Sequence, residues 1–248
     1  MRELSSIEEI RNRELNILKY VHYLCEKYGL KYILAGGTLL GAVRHKGYIP
    51  WDDDIDILMP REDYEKLIKL INNGKNKNFR FLTYKNDLSY IIPFGKVVDT
   101  RTYVEFYNEI NSKNMGVFID IFPMDGIDED INYYTDKVRM IENLRCSGEM
   151  GILKIIYAKI LCALIDIRAK RQAFNKYENV ACKVIGMGKR EIISRQLVEN
   201  RVLIDFENKQ FYAPAGFDKY LRNLYKDYMK LPPKHQQRRG HLFKAWYR

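Results

Sequence analysis

Cysteine is scarce in this chain: Cys25, Cys146, Cys162 and Cys182 are spread over 248 residues with no C-x-x-C pair. That spacing excludes the usual zinc frameworks and a disulfide-stapled scaffold, and reads as the reduced thiols of a cytoplasmic protein. Long apolar runs are missing too. The most apolar region, residues 151–167, is broken by Lys154 and Lys159, so no uncharged run reaches the ~20 residues of a membrane span. Residues 1–6 have no apolar signal core, and a soluble protein is expected. Neither G-x-G-x-x-G nor the Walker Gly-Lys-Ser/Thr occurs, nor any internal repeat or low-complexity tract. Acid is outnumbered: 32 Asp and Glu against 42 Lys and Arg give a net charge of +10. Such an excess suits nucleic acid, an anionic membrane surface or a polyphosphate substrate. With no Arg-Gly run and no zinc spacing, nucleic acid is not expected as a partner.

What acid there is concentrates. From Ala35 the chain reads as the end of a short strand, a Gly36-Gly37-Thr38 turn, a helix to about Val43, and then Pro50-Trp51-Asp52-Asp53-Asp54-Ile55-Asp56-Ile57. Alternate strand residues share a face, so Asp54 and Asp56 point together while Ile55 and Ile57 enter a core. Two carboxylates roughly 6–7 Å apart repel by about 2.5 kcal/mol at an effective dielectric of about 20. A divalent cation between them turns repulsion into chelation, and hard oxygen ligands suit Mg²⁺ or Mn²⁺. A calcium loop is a poor competitor, because the sixth position from Asp54 is Met59 rather than glycine. Asp52 and Asp53 read as ordinary loop acids. The glycines let backbone N–H groups approach a phosphate, with Thr38 capping the helix behind them.

Around this stretch, Ser6-x-x-Glu9 has capping-box form and starts a helix that Gly29 ends. A helix is expected from Arg61, and strands at 79–83, 91–98, 102–106 and within the run 116–126. Asp120 interrupts the last of these, a strand of Val, Phe and Ile, and is the candidate third metal ligand. Asp125, before Gly126, reads as a turn residue. Helices follow at 133–149, 153–168 and 172–184. The middle one is apolar with a basic rim, which suits core packing or a membrane-surface face. Strands near 202–212 and a helix at 218–228 precede a basic tail. The chain thus divides into a core at 1–130, a helical region at 131–200 that could meet an acceptor or a membrane surface, and a segment at 201–248 returning to the core.

Three carboxylates meeting at one sheet edge can hold two metal ions about 4 Å apart, an arrangement suited to in-line displacement at phosphorus. Asp54, Asp56 and Asp120 are therefore the candidate catalytic and metal residues. Gly36, Gly37, Thr38, Arg44, Lys96 and His241 are the candidates for holding donor phosphate.

The run from Gly36 through Asp56, with Pro93-Phe94-Gly95-Lys96, residues 118–125 and Tyr225–Pro233, closely resembles the LicD family of phosphotransferases. This family includes cholinephosphotransferases of lipopolysaccharide and teichoic acid and is related to the fukutin-type ribitol-phosphate transferases. The resemblance is strong over 30–126, patchy in the tail and absent over 130–200. It implies an α/β (α+β) fold with a nucleotidyltransferase-like mixed sheet, flanking helices and a helical insertion. It implies a CDP-alcohol donor, transfer of its phosphorylated alcohol (typically phosphocholine) to a sugar hydroxyl of a glycan or lipid-linked glycan, and release of CMP. It also implies that Asp54, Asp56 and Asp120 ligate the metal. Choline needs an aromatic cage, for which Trp51 is the candidate, but phosphoglycerol, phosphoribitol or phosphoethanolamine would fit the same core. A nucleotidyltransferase and a non-catalytic basic binding domain are the rival readings. The expected location is cytoplasmic, with peripheral contact at the anionic inner membrane face.

Overall fold

The computed structural model describes residues 2–107, 112–128, 130–146, 151–238 and 243–248. After a short strand β1 (Arg2–Glu3), helix α1 (Ile7–Tyr28) starts where Ser6 Oγ accepts from the Glu9 N–H at 3.2 Å. It stops at Gly29, whose φ of 65° is left-handed. Its apolar stripe, from Ile10 to Cys25, is buried against the sheet. Strand β2 (Ile33–Leu34) leads into α2 (Gly36–His45), and β3 (Asp56–Pro60) into α3 (Arg61–Asn72). Strands β4 (Phe79–Leu82), β5 (Gly95–Asp99), β6 (Thr102–Phe106) and β7 (Phe118–Gly126) complete the first half. Strand β5 starts later than the apolar run at 91–98 predicts, because Pro93 has no N–H to give a ladder.

The main sheet is mixed, in the order β2-β3-β7-β5-β4. Strand β3 runs parallel to β7 with Asp56 opposite Asp120, and β5 runs antiparallel to β7 with Lys96 opposite Asp120. The register therefore sets Asp56, Asp120 and Lys96 side by side on three adjacent strands, a row no local pattern predicts.

Helices α4 (Asn132–Arg145) and α5 (Ile152–Lys170) form in the two places expected; α4 ends at Arg145, and residues 147–149 of its expected span lie outside the described residues. The helix predicted over 172–184 does not form. There the chain makes a 3-10 turn (Phe174–Lys176) and strand β8 (Asn179–Cys182), which pairs with the far end of β7 and with β9 (Ile192–Ser194). Residues 180–184 are buried throughout, so pairing with β7 outweighs helical spacing. A short helix α6 (Arg195–Glu199) precedes the hairpin β10 (Arg201–Phe206) and β11 (Lys209–Pro214). Helix α7 (Phe217–Tyr225) and strand β12 (Phe243–Tyr247) end the chain, with β12 between β1 and β6 in a separate sheet.

One charged network ties the layers together. Arg61 donates from Nε (2.9 Å) and Nη2 (2.6 Å) to Asp125 and from Nη1 to Asp166 on α5 (2.9 Å). Asp125 is thus no turn residue: it lies inside β7, fully buried, with Arg61 as its counter-charge.

Candidate functional site

The acidic site lies where the start of β3 meets the N-terminus of α2. The Asp56 N–H donates to Thr38 Oγ1 (2.8 Å) and the Ala35 N–H to the Asp56 carbonyl (3.0 Å), so strand and helix start are locked together. Thr38 accordingly does not cap α2, which begins two residues earlier, after Ala35. Asp54 lies just ahead of β3 rather than within it, while Ile55 and Ile57 are fully buried, as the alternation predicts. On the other side the Asp120 N–H donates to the Ile55 carbonyl (2.8 Å).

The glycines are needed for close approach. Gly36 has a φ of +49°, and a Cβ there would lie 2.9 Å from Asp56 Oδ2; a Cβ on Gly37 would lie 2.6 Å from Asp52 Oδ2. Carboxylates therefore fill the space beside both glycines, facing the positive end of the helix dipole. Asp52 and Asp53 are part of this cluster rather than plain loop acids: Asp52, Asp53 and Asp54 each bring a ligand oxygen within 4.8 Å of the others, and Asp53 is buried. Arg11 of α1 shapes their loop, donating to the carbonyls of Ile49 (2.9 Å), Pro50 (3.0 Å) and Asp52 (2.6 Å). Nothing in the sequence around Arg11 signals that role, because its partners are distant backbone oxygens.

Burial, and after it the charges of Asp54, Asp120 and Asp52, raise the Asp56 carboxyl well above the usual carboxylate range, against the opposing pull of Lys96. A carboxylate set of this kind, buried and mutually repelling, fits hard divalent cations such as Mg²⁺ or Mn²⁺. Asp120 has a second compensation that the sequence does not reveal. Lys96 donates to its Oδ1 while lying over the Phe118 ring, 3.7 Å from the centroid. Lys96 is thus at the site, but paired with an acid.

The remaining candidates flank this centre. Trp51 and Arg44 line a groove of about 570 Å³ with Leu40, Tyr225, Tyr228 and Pro232. Arg44 is tethered there, its Nη1 donating to the Tyr228 carbonyl (2.8 Å). Tyr225 reaches the site itself, its hydroxyl 3.8 Å from the Cβ position of Gly36; burial first, then the charge of Asp56, raises its phenol. Its one advance signal is its place in the tail segment of the family resemblance. On the opposite flank, a cavity of about 90 Å³ is lined by Tyr90, Phe94, Lys96, Phe106 and Asp120, among others. The buried Tyr90 hydroxyl has no hydrogen-bond partner among the described residues. His241 lies outside the described residues.

Glu191, in the 3-10 turn before β9, is a buried acid whose charge acts on Tyr225. Burial pushes its carboxyl up to about 7 from an ordinary 4.5. The unfolded chain therefore loses this proton first as pH rises, and stability falls between those two values by about 3 kcal/mol. Glu191→Gln should melt with the parent near pH 4 and roughly 6–12 °C above it near pH 8, read by circular dichroism. Superimposable melting curves at about pH 8 would show that burial at this position carries no such penalty.

The site is thus a set of carboxylates gathered before a glycine-led helix N-terminus in a mixed α/β domain, with a lysine beside them. The chain's relatives narrow its class. A sequence model described as LicD/FKTN/FKRP, nucleotidyltransferase domain, matches residues 29–147. The lipopolysaccharide cholinephosphotransferase LicD of Haemophilus influenzae is 32% identical over 253 residues, covering 94% of each chain. The ribitol 5-phosphate transferase FKRP of Mus musculus is 31% identical over 112 residues, 42% of this chain and 19% of its own. An uncharacterized protein of Rickettsia typhi is 31% identical over 123 residues, 50% of this chain and 38% of its own. The chain belongs to the LicD family.

Proposed function

We propose that this protein transfers a phosphorylated small alcohol, with phosphocholine the first candidate, from a CDP-activated donor to a sugar hydroxyl. The acceptor is a cell-surface glycan or its lipid-linked precursor, CMP is released, and the reaction takes place in the cytoplasm. What supports the reading is the pairing of Asp56 with Asp120 across β3 and β7, with the charge of Asp54 acting on Asp56 and the Asp52–Asp54 cluster beside the N-terminus of α2. The named relatives support the class: one is a cholinephosphotransferase and the other a ribitol 5-phosphate transferase.

In this reading Asp54, Asp56 and Asp120 hold one or two Mg²⁺ or Mn²⁺ ions, with Asp52 beside them. When bound, such ions neutralise donor phosphate charge and make the acceptor hydroxyl more acidic. Asp120 accepts the hydroxyl proton, and its pairing with Lys96 fixes its orientation and brings positive charge near the transferred group. The hydroxyl oxygen bonds to the donor's distal phosphorus as the bond from phosphorus to the CMP oxygen breaks. The N–H groups of Gly36, Gly37 and Thr38 face the donor phosphates, with Arg44 as a further cation and His241 as a candidate from the tail. Trp51, in the groove beside Tyr225, offers an aromatic face to a quaternary ammonium.

The test is product analysis. The protein is incubated with a panel of CDP-alcohols, Mg²⁺ or Mn²⁺ and candidate glycans, and products are read by mass spectrometry. CMP together with a glycan carrying the phosphoalcohol is the expected result for CDP-choline or CDP-glycerol. Release of pyrophosphate would point instead to nucleotidyl transfer. Tight binding of anionic glycolipid with no turnover of any donor would point to a non-catalytic basic domain.

A further inference from the structure

A buried hydroxyl without a partner marks the cavity beside Asp120. Tyr90 is 2% exposed and lines that cavity with Phe94, Lys96, Phe106 and Asp120. Its hydroxyl makes no hydrogen bond among the described residues, whereas its backbone N–H donates to Asp87 Oδ1 (3.1 Å). Burial, and after it the charge of Asp120, raises the phenol, so the hydroxyl lies within the field of that carboxylate. A buried tyrosine hydroxyl is ordinarily paired, and one left unpaired weighs against the fold.

The segment that carries Tyr90 is firmly anchored. Asp87 also accepts from the Ser89 N–H (2.9 Å), from Ser112 Oγ (2.8 Å) and from Asn114 Nδ2 (2.6 Å), which fixes the turn before Tyr90. Helix α5 holds the same segment: Lys159 donates to the carbonyls of Tyr84 (2.5 Å) and Asp87 (2.7 Å), and Cys162 to that of Ile91 (3.4 Å). A ring on a segment tied down in this way presents its hydroxyl at a set place, as a group prepared for a ligand must.

A ligand for this cavity has to pair with a hydroxyl, pack against Phe94 and Phe106, and reach Asp120. A sugar does all three, since its C–H faces lie against aromatic rings while its hydroxyls both donate and accept. A quaternary ammonium offers no hydrogen bond and would leave Tyr90 unpaired. The volume of about 90 Å³ is several times the roughly 10–15 Å³ that one water needs, and gives room for the edge of a sugar ring. The sheet order puts the cavity on the side an acceptor requires. In the order β2-β3-β7-β5, Asp56 and the start of α2 lie to one side of Asp120, and Lys96 with the cavity to the other. In-line displacement sets the attacking and leaving oxygens on opposite sides of phosphorus, so a donor held at α2 leaves the cavity side to the acceptor. We propose that this cavity receives the edge of the acceptor sugar, and that the Tyr90 hydroxyl hydrogen-bonds a hydroxyl of that sugar beside the one whose proton passes to Asp120. The acceptor's role rests on the transfer reading above, whereas the binding of a sugar here does not.

The test is Tyr90→Phe, which removes the hydroxyl and keeps the ring. Saturation-transfer NMR of the full chain with the methyl glycosides of glucose, galactose, N-acetylglucosamine and N-acetylgalactosamine, and with ribitol and glycerol beside them, reads binding without any donor. At least one glycoside should bind the parent, and its dissociation constant should rise roughly tenfold in the variant. In turnover of CDP-choline the variant should lose a similar factor in kcat/KM for the acceptor, with KM for the donor unchanged. Its melting temperature should be no lower than the parent's, because the hydroxyl it loses has no partner in the fold. A glycoside affinity that ignores the substitution would overturn the proposal, as would a parent that binds none of the four. A clear fall in melting temperature would overturn it too, by showing that the hydroxyl serves the fold. Weakened binding of ribitol or glycerol alone would assign the hydroxyl to the transferred alcohol and against the acceptor. Glycoside binding that depends on Tyr90, without turnover of any CDP-alcohol, would uphold the sugar site and remove the transfer reading.

Discussion

Asp56→Asn is expected to lower turnover on the order of a thousandfold, about 4 kcal/mol of activation barrier, without unfolding the protein. Asparagine keeps the shape of the side chain. It also keeps the backbone N–H that donates to Thr38 Oγ1 and the carbonyl that accepts from Ala35. What is lost is a negative charge, and in the metal-free fold that charge is a burden, because burial, Asp54 and Asp120 all oppose it. The variant should therefore melt no lower than the parent in the absence of divalent ions. Loss of rate combined with retained or raised thermal stability is the signature of a carboxylate kept for a ligand rather than for the fold. Turnover within tenfold of the parent, measured as CMP formed from CDP-choline, would remove Asp56 from the site. Asp120→Asn makes a useful contrast. It leaves Lys96 without its buried counter-charge, so it should lower both rate and stability.

Arg61→Leu should produce the largest fall in stability, about 3–5 kcal/mol. Asp166 would retain Lys85 and Lys170, but Asp125 is fully buried and has Arg61 as its ion-pair partner. An uncompensated carboxylate inside β7 must either carry its charge in an apolar setting or take up a proton. For a chain of this size the loss corresponds to a fall in melting temperature of roughly 6–20 °C. The double variant Arg61→Leu, Asp125→Leu should recover much of it, because removing both charges spares the fold an unpaired one. An additive double-mutant cycle would mean that the two side chains do not act as a pair.

Local signals in the sequence proved legible where the structure they specify is itself local. Ser6 and Gly29 mark the two ends of α1, and the Ile55 and Ile57 alternation marks the approach to β3. Long-range pairing was not legible. Nothing near residue 120 or residue 96 in the chain says that they will stand opposite one another on β7 and β5. Asp120 could thus be recognised as an acid needing a partner, but not as one already partnered by Lys96. The stretch 172–184 failed for the same reason. Its apolar spacing suits a helix, and only the edge of β7 beyond its pairing with β5 makes it a strand. In α5 periodicity was no guide, since apolar residues line both faces and the fold uses one of them. Asp52 and Tyr225 stood inside segments already singled out, yet their approach to Gly37 and Gly36 depends on contacts made by folding.

The account rests on carboxylates from β3, β7 and the loop before β3 acting together on a divalent ion. Mn²⁺ binding, followed by electron paramagnetic resonance in the parent, Asp56→Asn and Asp120→Asn, tests this without assuming any substrate. The predicted result is a Mn²⁺ site that Mg²⁺ competes for, weakened roughly 10- to 100-fold by each substitution. Equal Mn²⁺ binding by all three proteins, or none by the folded parent, would contradict it.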